Sequence, residues 1–389
     1  MKKINDLIYK SNNKLLLKNY ILLESKPDFS CNTKAVYDEM IRRGINKKYK
    51  LIWFVDDKNK FKDIKLKNVK FINYDEKKIN KIKWVYYNIR CKFIIDCNKF
   101  VTKRNHRQIR IHLTHGEFIK IPREYCNLSG HIDYLIETSD YFKKINSELF
   151  QVPEDNILTT GYPRNDYIFD YDNGIEVYRD IKRDKTIFWI PTYRNHKFNK
   201  NNSFFNTNIQ FPYGIPTIKN SSDLKKLNNI LKKNKTLLVI KFHPVEDISK
   251  IKKLDLSNIK LLEDDFFEKV HSNIYQLLSK ADALITDYSS IYYDFLLTDK
   301  PIGLAIPDIN EYKSHVELLY KDYENNIIGE YIYNFNDLLK FVNNVGKNND
   351  IKYDKRILVK KKYHKYCDNN SSNRVVDIIE ELLYRKVIK

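Results

Sequence analysis

The feature that most constrains this chain is a repeated rhythm: a short apolar run, a polar turn, then a stretch with helical periodicity. Tyr20–Glu24 (YILLE) reads as a strand, and Lys34–Arg43 as a helix that stops at Gly44. Lys50–Val55 (KLIWFV), Val69–Ile72, Phe93–Asp96, Ile109–Leu113 and Tyr134–Glu137 (YLIE) read as further strands, with Ser139 placed to cap a helix running to about Phe150. Apolar runs of this length, bounded by turns, suit a parallel sheet buried on both faces. The rhythm breaks in the polar stretch Asp170–Lys185 and then restarts. The second strand series is Thr186–Ile190, Leu237–Lys241, Ile259–Leu262, Ala283–Ile285 and Ile302–Ile306, with helices such as Ser222–Lys233, Ile274–Lys280 and Ile291–Leu297 between them.

Two βα series in succession predict two doubly wound sheets, an α/β architecture. The expected division is a first Rossmann-like domain over 1–172 and a second over 173–389, the latter closed by helices near Lys355–Tyr366 and Ser372–Lys386. A length of 389 residues suits two domains, and a hydrophobic content of 42% excludes wholesale disorder. Ligands of such sheets bind beyond the carboxyl ends of the strands. Two facing sheets would therefore create one cleft, with chemistry drawn from strand–helix junctions in both halves. The Asn-rich stretch 195–208 reads as a loop.

Five junctions stand out. Thr114-His115-Gly116-Glu117 follows the strand Ile109–Leu113, and histidine is the usual general base near neutrality. Gly161-Tyr162-Pro163-Arg164 forms a turn whose arginine has the fork that grips phosphate. Pro191-Thr192-Tyr193-Arg194 sends a hydroxyl and a guanidinium from one strand end. In Lys241-Phe242-His243-Pro244 the cation and the imidazole alternate with Phe242 and so share a face. Thr286-Asp287-Tyr288-Ser289-Ser290 precedes a helix, where free amides and hydroxyls favour an anion. Taken singly, each has a plain structural reading: a surface histidine, an ordinary turn, a polar strand end or a helix cap.

The net charge of +20 calls for an anionic partner: nucleic acid, acidic lipid headgroups or phosphate-bearing substrates. A nucleic-acid-binding protein would explain the charge, but it leaves the strand-end motifs unused, and no known binding motif occurs. Nucleic acid is therefore not expected. P-loop, dinucleotide-binding, zincin and nucleophile-elbow signatures are absent. The cysteines, Cys31, Cys91, Cys97, Cys126 and Cys367, are odd in number and form no CxxC, so neither a disulfide framework nor a zinc site is expected. No cofactor is expected, and a reducing cytoplasm is the simplest compartment. There is no run of 18 apolar residues, and the basic start lacks a cleavage signal, so any membrane contact would be peripheral.

Together the strings HGEFIK, GYPRNDYI, IPTYR, IKFHP, ITDYSSIYYDFLLTDKPI, EYKSHVELLYKDY and CDNNSSNRVVDII resemble, in order and spacing from about Ile21 to Ile379, the CDP-glycerol glycerophosphotransferase family, which builds teichoic acids and some capsular polymers. The resemblance implies a GT-B-like fold and transfer of glycerol phosphate from CDP-glycerol to a lipid-linked acceptor at the inner face of the membrane, with release of CMP. It implies that His115 is the base and that His243 lies at the donor phosphates. Arg164, Thr192, Arg194, Lys241, Asp287, Ser289, Ser290 and Arg374 would serve the donor, and Gly116, Glu117 and Lys120 the acceptor side. Two departures stand out: Glu117 where the family usually has Thr, and Glu317-Leu318 where a basic residue and Gly are usual. They leave acceptor and polyol open, CDP-ribitol included. A GT-B glycosyltransferase using a sugar nucleotide is the nearest alternative.

Overall fold

In the computed structural model, which describes residues 15–73, 78–98, 101–121, 131–192, 211–243, 246, 248–263, 265–270 and 272–385, the chain divides into two units, each built on its own sheet. The first comprises 1–115, 122–166 and 363–389. Its strands are β1 (Lys18–Glu24), β2 (Lys50–Val55), β3 (Val69–Asn73), β4 (Cys91–Asp96), β5 (Ile109–His112), β6 (Tyr134–Glu137) and β7 (Ile157–Thr159), in the order β3-β2-β1-β4-β5-β6-β7. Every pairing is parallel. Because side chains alternate along a strand, Ile21 and Leu23 enter one core and Leu22 the other. Trp53, Phe93 and Ile95 join the first core, and Ile52, Phe54 and Ile94 the second. Each fully buried side chain of this kind contributes about 1.5–3 kcal/mol, so continuous apolar strands stabilise the sheet from both sides.

The second unit comprises 116–121 and 167–362. Its strands are β8 (Lys185–Trp189), β9 (Thr236–Ile240), β10 (Ile259–Leu261), β11 (Ala283–Thr286), β12 (Ile302–Ala305) and β13 (Glu330–Ile332), in the order β10-β9-β8-β11-β12-β13, again parallel throughout. Helices Ser221–Lys233 and Phe335–Gly346 each begin with a reciprocal capping box, Asn220 with Asp223 and Asn334 with Asp337. Their apolar stripes, Leu224, Leu227 and Leu231 with Leu338, Phe341 and Val342, pack on Ile187, Trp189, Leu238 and Ile240.

Both sheets are doubly wound, with the strand order reversing between β1 and β4 and between β8 and β11. The boundary expected at 172/173 falls at 166/167, and two further segments change sides. Helix Ser371–Arg385 belongs to the first unit, because Val375, Val376, Ile379 and Leu383 enter the core that holds Ile21, Val36 and Met40. Arg43 adds ion pairs to Asp377 at 2.6 Å and Glu380 at 2.7 Å. Segment 116–121 belongs to the second unit: the amide of Ile121 donates to the Glu317 carbonyl at 2.9 Å, and that of Leu319 to the Ile119 carbonyl at 2.8 Å. Ser139 takes the N-cap position, but its hydroxyl makes no capping bond. Arg194, Pro244 and the stretch 195–208 lie outside the described residues.

Candidate functional site

In the second unit the switch point carries the motifs the sequence singles out. The chain leaves β8 through Pro191 to Thr192, beside the end of its neighbour β11 at Asp287. The Asp287 carboxylate is fully buried. It accepts the Thr192 amide at 3.0 Å on each oxygen, the Thr192 hydroxyl at 2.6 Å and the Tyr288 amide at 2.7 Å. Its carbonyl accepts the Tyr323 hydroxyl at 3.1 Å. Tyr288 stacks on Tyr312 with ring centres 3.6 Å apart, and its hydroxyl donates to Asp308 at 2.9 Å. Asp287 and Thr192 thus fix two strand-end loops to each other. Ser289 and Ser290 are half-buried at the start of helix Ile291–Leu296, and Ser290 makes no capping bond through its hydroxyl.

β9, on the other side of β8, ends at the third motif. Lys241 is half-buried, Phe242 is buried and His243 is exposed, the alternation expected of a strand end. The His243 carbonyl accepts the amide of Glu246 at 2.9 Å. A side chain at Gly214 (φ +68°) would meet Glu246 Oε1 at 2.7 Å, so glycine is required where that buried carboxyl packs.

The first unit places His115 on a loop with unusual backbone. Thr114 has φ +52° and Gly116 φ +123°, so His115 sits between two left-handed residues and its side chain is exposed. Asn32, fully buried, donates to the carbonyls of Leu113 at 2.9 Å and Thr114 at 3.0 Å, and accepts the Arg164 amide at 3.0 Å. Arg164 is 2% exposed, and its guanidinium donates to the His115 carbonyl at 2.6 Å. The arginine expected to grip phosphate therefore holds the histidine loop. Cys31 Sγ lies 3.3 Å from His115 Nδ1. Cys31, Cys97 and His115 bring their ligand atoms within 4.8 Å of one another. A hydrogen bond from Cys97, reinforced by His115 and Arg164, holds the Cys31 thiol well below its usual pKa despite burial. Burial pushes the Cys97 thiol up.

The GYPRND turn also receives the last helix. Asp166 accepts the amides of Ser371 at 2.9 Å and Ser372 at 2.8 Å, and burial raises its carboxyl against those donors. Gly161 has φ +78°, and a side chain there would meet Ser371 Oγ at 2.5 Å. Arg374 donates to the Thr160 carbonyl at 2.9 Å, pairs with Asp368, and lies 3.8 Å over the Tyr366 ring. Of the acceptor-side residues, Gly116 and Glu117 are buried, and Lys120 bridges to Leu318 in an antiparallel pair. The sequence reading missed Cys31, Asn32 and Cys97. Cys97 follows β4 directly, so the rule that ligands gather at strand ends contained its signal.

Residues 7–381 match the family model for CDP-glycerol:poly(glycerophosphate) glycerophosphotransferase. The chain belongs to that family. A teichoic acid poly(glycerol phosphate) polymerase from Bacillus spizizenii is 25% identical over 92% of this chain and 90% of its own length. A teichoic acid glycerol-phosphate transferase from Staphylococcus aureus is 27% identical over 64% of this chain and 60% of its own length, and for a Bacillus subtilis polymerase the share of its own length is 47%. The wall teichoic acid polymerase TagF superposes with a TM-score of 0.74 at 18% identity, over 100% of this chain and 94% of that one. The fold is thus GT-B-like, with two Rossmann-like units. A UDP-N-acetylglucosamine 2-epimerase from Listeria monocytogenes also superposes, at a TM-score of 0.56 and 12% identity. Fold alone therefore does not select the chemistry, and the family match does.

Proposed function

We propose that this glycerophosphotransferase moves glycerol phosphate from CDP-glycerol to a hydroxyl of a lipid-linked, teichoic-acid-like or capsular acceptor, with His115 as the base. The observation that carries the reading is the exposed His115 at the carboxyl end of β5, its loop fixed by Asn32 and Arg164. With Nδ1–H donated to Cys31 Sγ, the Nε2 lone pair is left for the acceptor proton, and Cys31 acts as a positioning residue. The acceptor oxygen forms a bond to the β-phosphorus, the bond from that phosphorus to the CMP oxygen breaks, and CMP leaves with the electron pair. His243, with Lys241 beside it and the hydroxyls of Ser289 and Ser290, would offset charge on the donor phosphates, the help such a transfer needs. Thr192 and Asp287 serve the donor by fixing to each other the loops after β8 and β11, the second of which carries Ser289 and Ser290. Arg194, outside the described residues, is a further candidate contact.

A lipid-linked acceptor would put the reaction at a membrane surface, and we take the cytoplasmic face as its side. Among the described residues no helix is long and apolar enough to cross one, and the +20 charge would draw the chain to anionic headgroups. The basic N-terminal stretch, with Lys2, Lys3, Lys10, Lys14 and Lys18, is our candidate contact; its residues 1–14 lie outside the described residues, and Lys18 opens β1. Curated relatives include ribitol-phosphate polymerases at 24% identity, so CDP-ribitol is the second donor to test. The experiment is incubation with CDP-glycerol, CDP-ribitol and UDP-sugars, with CMP or UDP release as the readout. CMP release from CDP-glycerol that falls by about a hundredfold in His115→Ala supports the reading. Near-normal turnover in that variant would remove His115 from the role of base.

A further inference from the structure

We propose that Cys31, Cys97 and His115 form a zinc(II) site at the switch point of the first unit, and that occupancy silences the enzyme. The three ligands come from different junctions: the connection after β1, the end of β4 and the end of β5. Their ligand atoms already lie within 4.8 Å of one another, and Cys31 Sγ is 3.3 Å from His115 Nδ1. A tetrahedral zinc ion with bonds of about 2.3 Å to sulfur and about 2.0 Å to nitrogen holds such a pair about 3.6 Å apart. The Cys31–His115 pair therefore needs a shift of a few tenths of an ångström, and Cys97, within 4.8 Å of the other two, one of at most about 1.2 Å. Two sulfurs and an imidazole form a soft ligand set that selects zinc over magnesium or calcium. Cys97 is buried, Cys31 half-buried and His115 exposed, so an ion would enter from the His115 side, beside the Arg164 guanidinium that lies 3.5 Å from Cys31 Sγ.

Inhibition follows from the tautomer and rests on the reading of His115 as the base. A neutral imidazole metallated at Nδ1 carries its proton on Nε2. The lone pair that would take the acceptor proton is then gone. Binding releases the thiol proton of Cys97, Cys31 already being held toward the thiolate, moves the imidazole proton from Nδ1 to Nε2, and involves no redox step.

The test uses the full chain with Cys126→Ser and Cys367→Ser, so that the remaining thiols are Cys31, Cys97 and Cys91. Cobalt(II) is titrated in, read by thiolate-to-cobalt charge transfer and tetrahedral d–d bands, and then displaced with zinc. One ion per chain is expected. Loss of a ligand in Cys97→Ser or His115→Ala should weaken binding at least about tenfold. Zinc should stop CMP release at the concentration that fills the site, and a chelator should restore it, each variant being compared with its own metal-free rate. Should Cys97→Ser fail to fold, Cys31→Ser carries the same comparison. Absence of one-to-one binding, or equal affinity in the cysteine variants, overturns the site. Binding without inhibition overturns the silencing claim and the base assignment, and leaves the metal site standing.

Discussion

Replacing Arg164 separates two incompatible roles for it. The sequence suggests a phosphate fork. In the structure the guanidinium is buried, donates to the His115 carbonyl at 2.6 Å and sits 5.5 Å over the Tyr162 ring. Arg164→Met keeps an apolar stem of similar reach but deletes every side-chain donor. A hydrogen bond from a charged group contributes about 1.5–3 kcal/mol, and the loss is felt in full where the orphaned carbonyl cannot reach water. For a unit of this size that corresponds to a fall in Tm of roughly 3–12 °C. The His115 loop, released on one side and still held by Asn32 on the other, should shift by a fraction of an ångström. Misplacement of a reacting group by about 1 Å can cost about a hundredfold, so kcat should fall by roughly ten- to a hundredfold. KM for CDP-glycerol should change by no more than about twofold, because uniform donor binding is untouched. The assay is steady-state CMP release with the donor varied, beside a thermal melt. A large rise in KM with kcat and Tm intact would refute the clamp and restore the phosphate fork.

Thr192→Val removes the 2.6 Å hydroxyl bond to buried Asp287 at nearly constant shape; stability should fall by about 1.5–3 kcal/mol, and Thr192→Ser should recover most of it, whereas equal melting of the valine and native chains would contradict the loop-fixing role. Acid should destabilise the first unit. His112 is fully buried 2.9 Å from Asp96, and burial lowers its pKa below the ordinary 6.5 despite that carboxylate. The unfolded chain therefore binds this proton first. The contribution is complete above about pH 6.5 and is lost below it, with a slope of at most about 1.4 kcal/mol per pH unit. Burial opposes ionisation of Asp96, but Arg110 and His112 outweigh it and lower its pKa, so a second loss in the same sense follows as pH falls below 3.8. Urea melts at pH 7 and 5 should show the first loss and His112→Gln should flatten it; stability that rises on acidification would contradict the assignment. Finally, co-sedimentation with vesicles should increase with anionic lipid and decrease with salt, and equal binding to neutral and anionic vesicles would exclude electrostatic attachment.

The fold is legible because a parallel strand buried on both faces writes itself as an apolar run. β2 and β6 coincide with the runs KLIWFV and YLIE. β13 escapes because its three residues, EYI, begin with Glu330 and make no apolar run. Helix Phe335–Gly346 was available from Asn334 and Asp337, spaced as a capping box before an apolar stripe. The destination of the last helix is a different matter. Its periodicity predicts an amphipathic helix, but nothing local says which core takes Val375 and Ile379; Arg43, more than 300 residues earlier in the chain, helps decide it. The same holds for the cluster of Cys31, Cys97 and His115, which no local spacing announces because a helix start and two strand ends supply it.

The strings that mark the family divide by what their side chains touch. Arg164 and Asp166 of GYPRND, and Arg374 of SSNR, direct their side chains to backbone groups of the first unit, Asp166 to the amides of Ser371 and Ser372. Asp287 and Thr192 spend theirs on each other and on adjoining amides. Exposed imidazoles at strand ends belong to His115 and His243. A buried polar group costs free energy unless paired, so the clamps must be satisfied within the fold, whereas a group that handles protons or phosphate must be open to substrate. Mutations in the clamps should therefore move stability and kcat together, and mutations of the two histidines should move catalysis alone. That division also bears on Arg164: arginine suits both tasks, and its burial against a carbonyl is what favours the clamp over the phosphate fork.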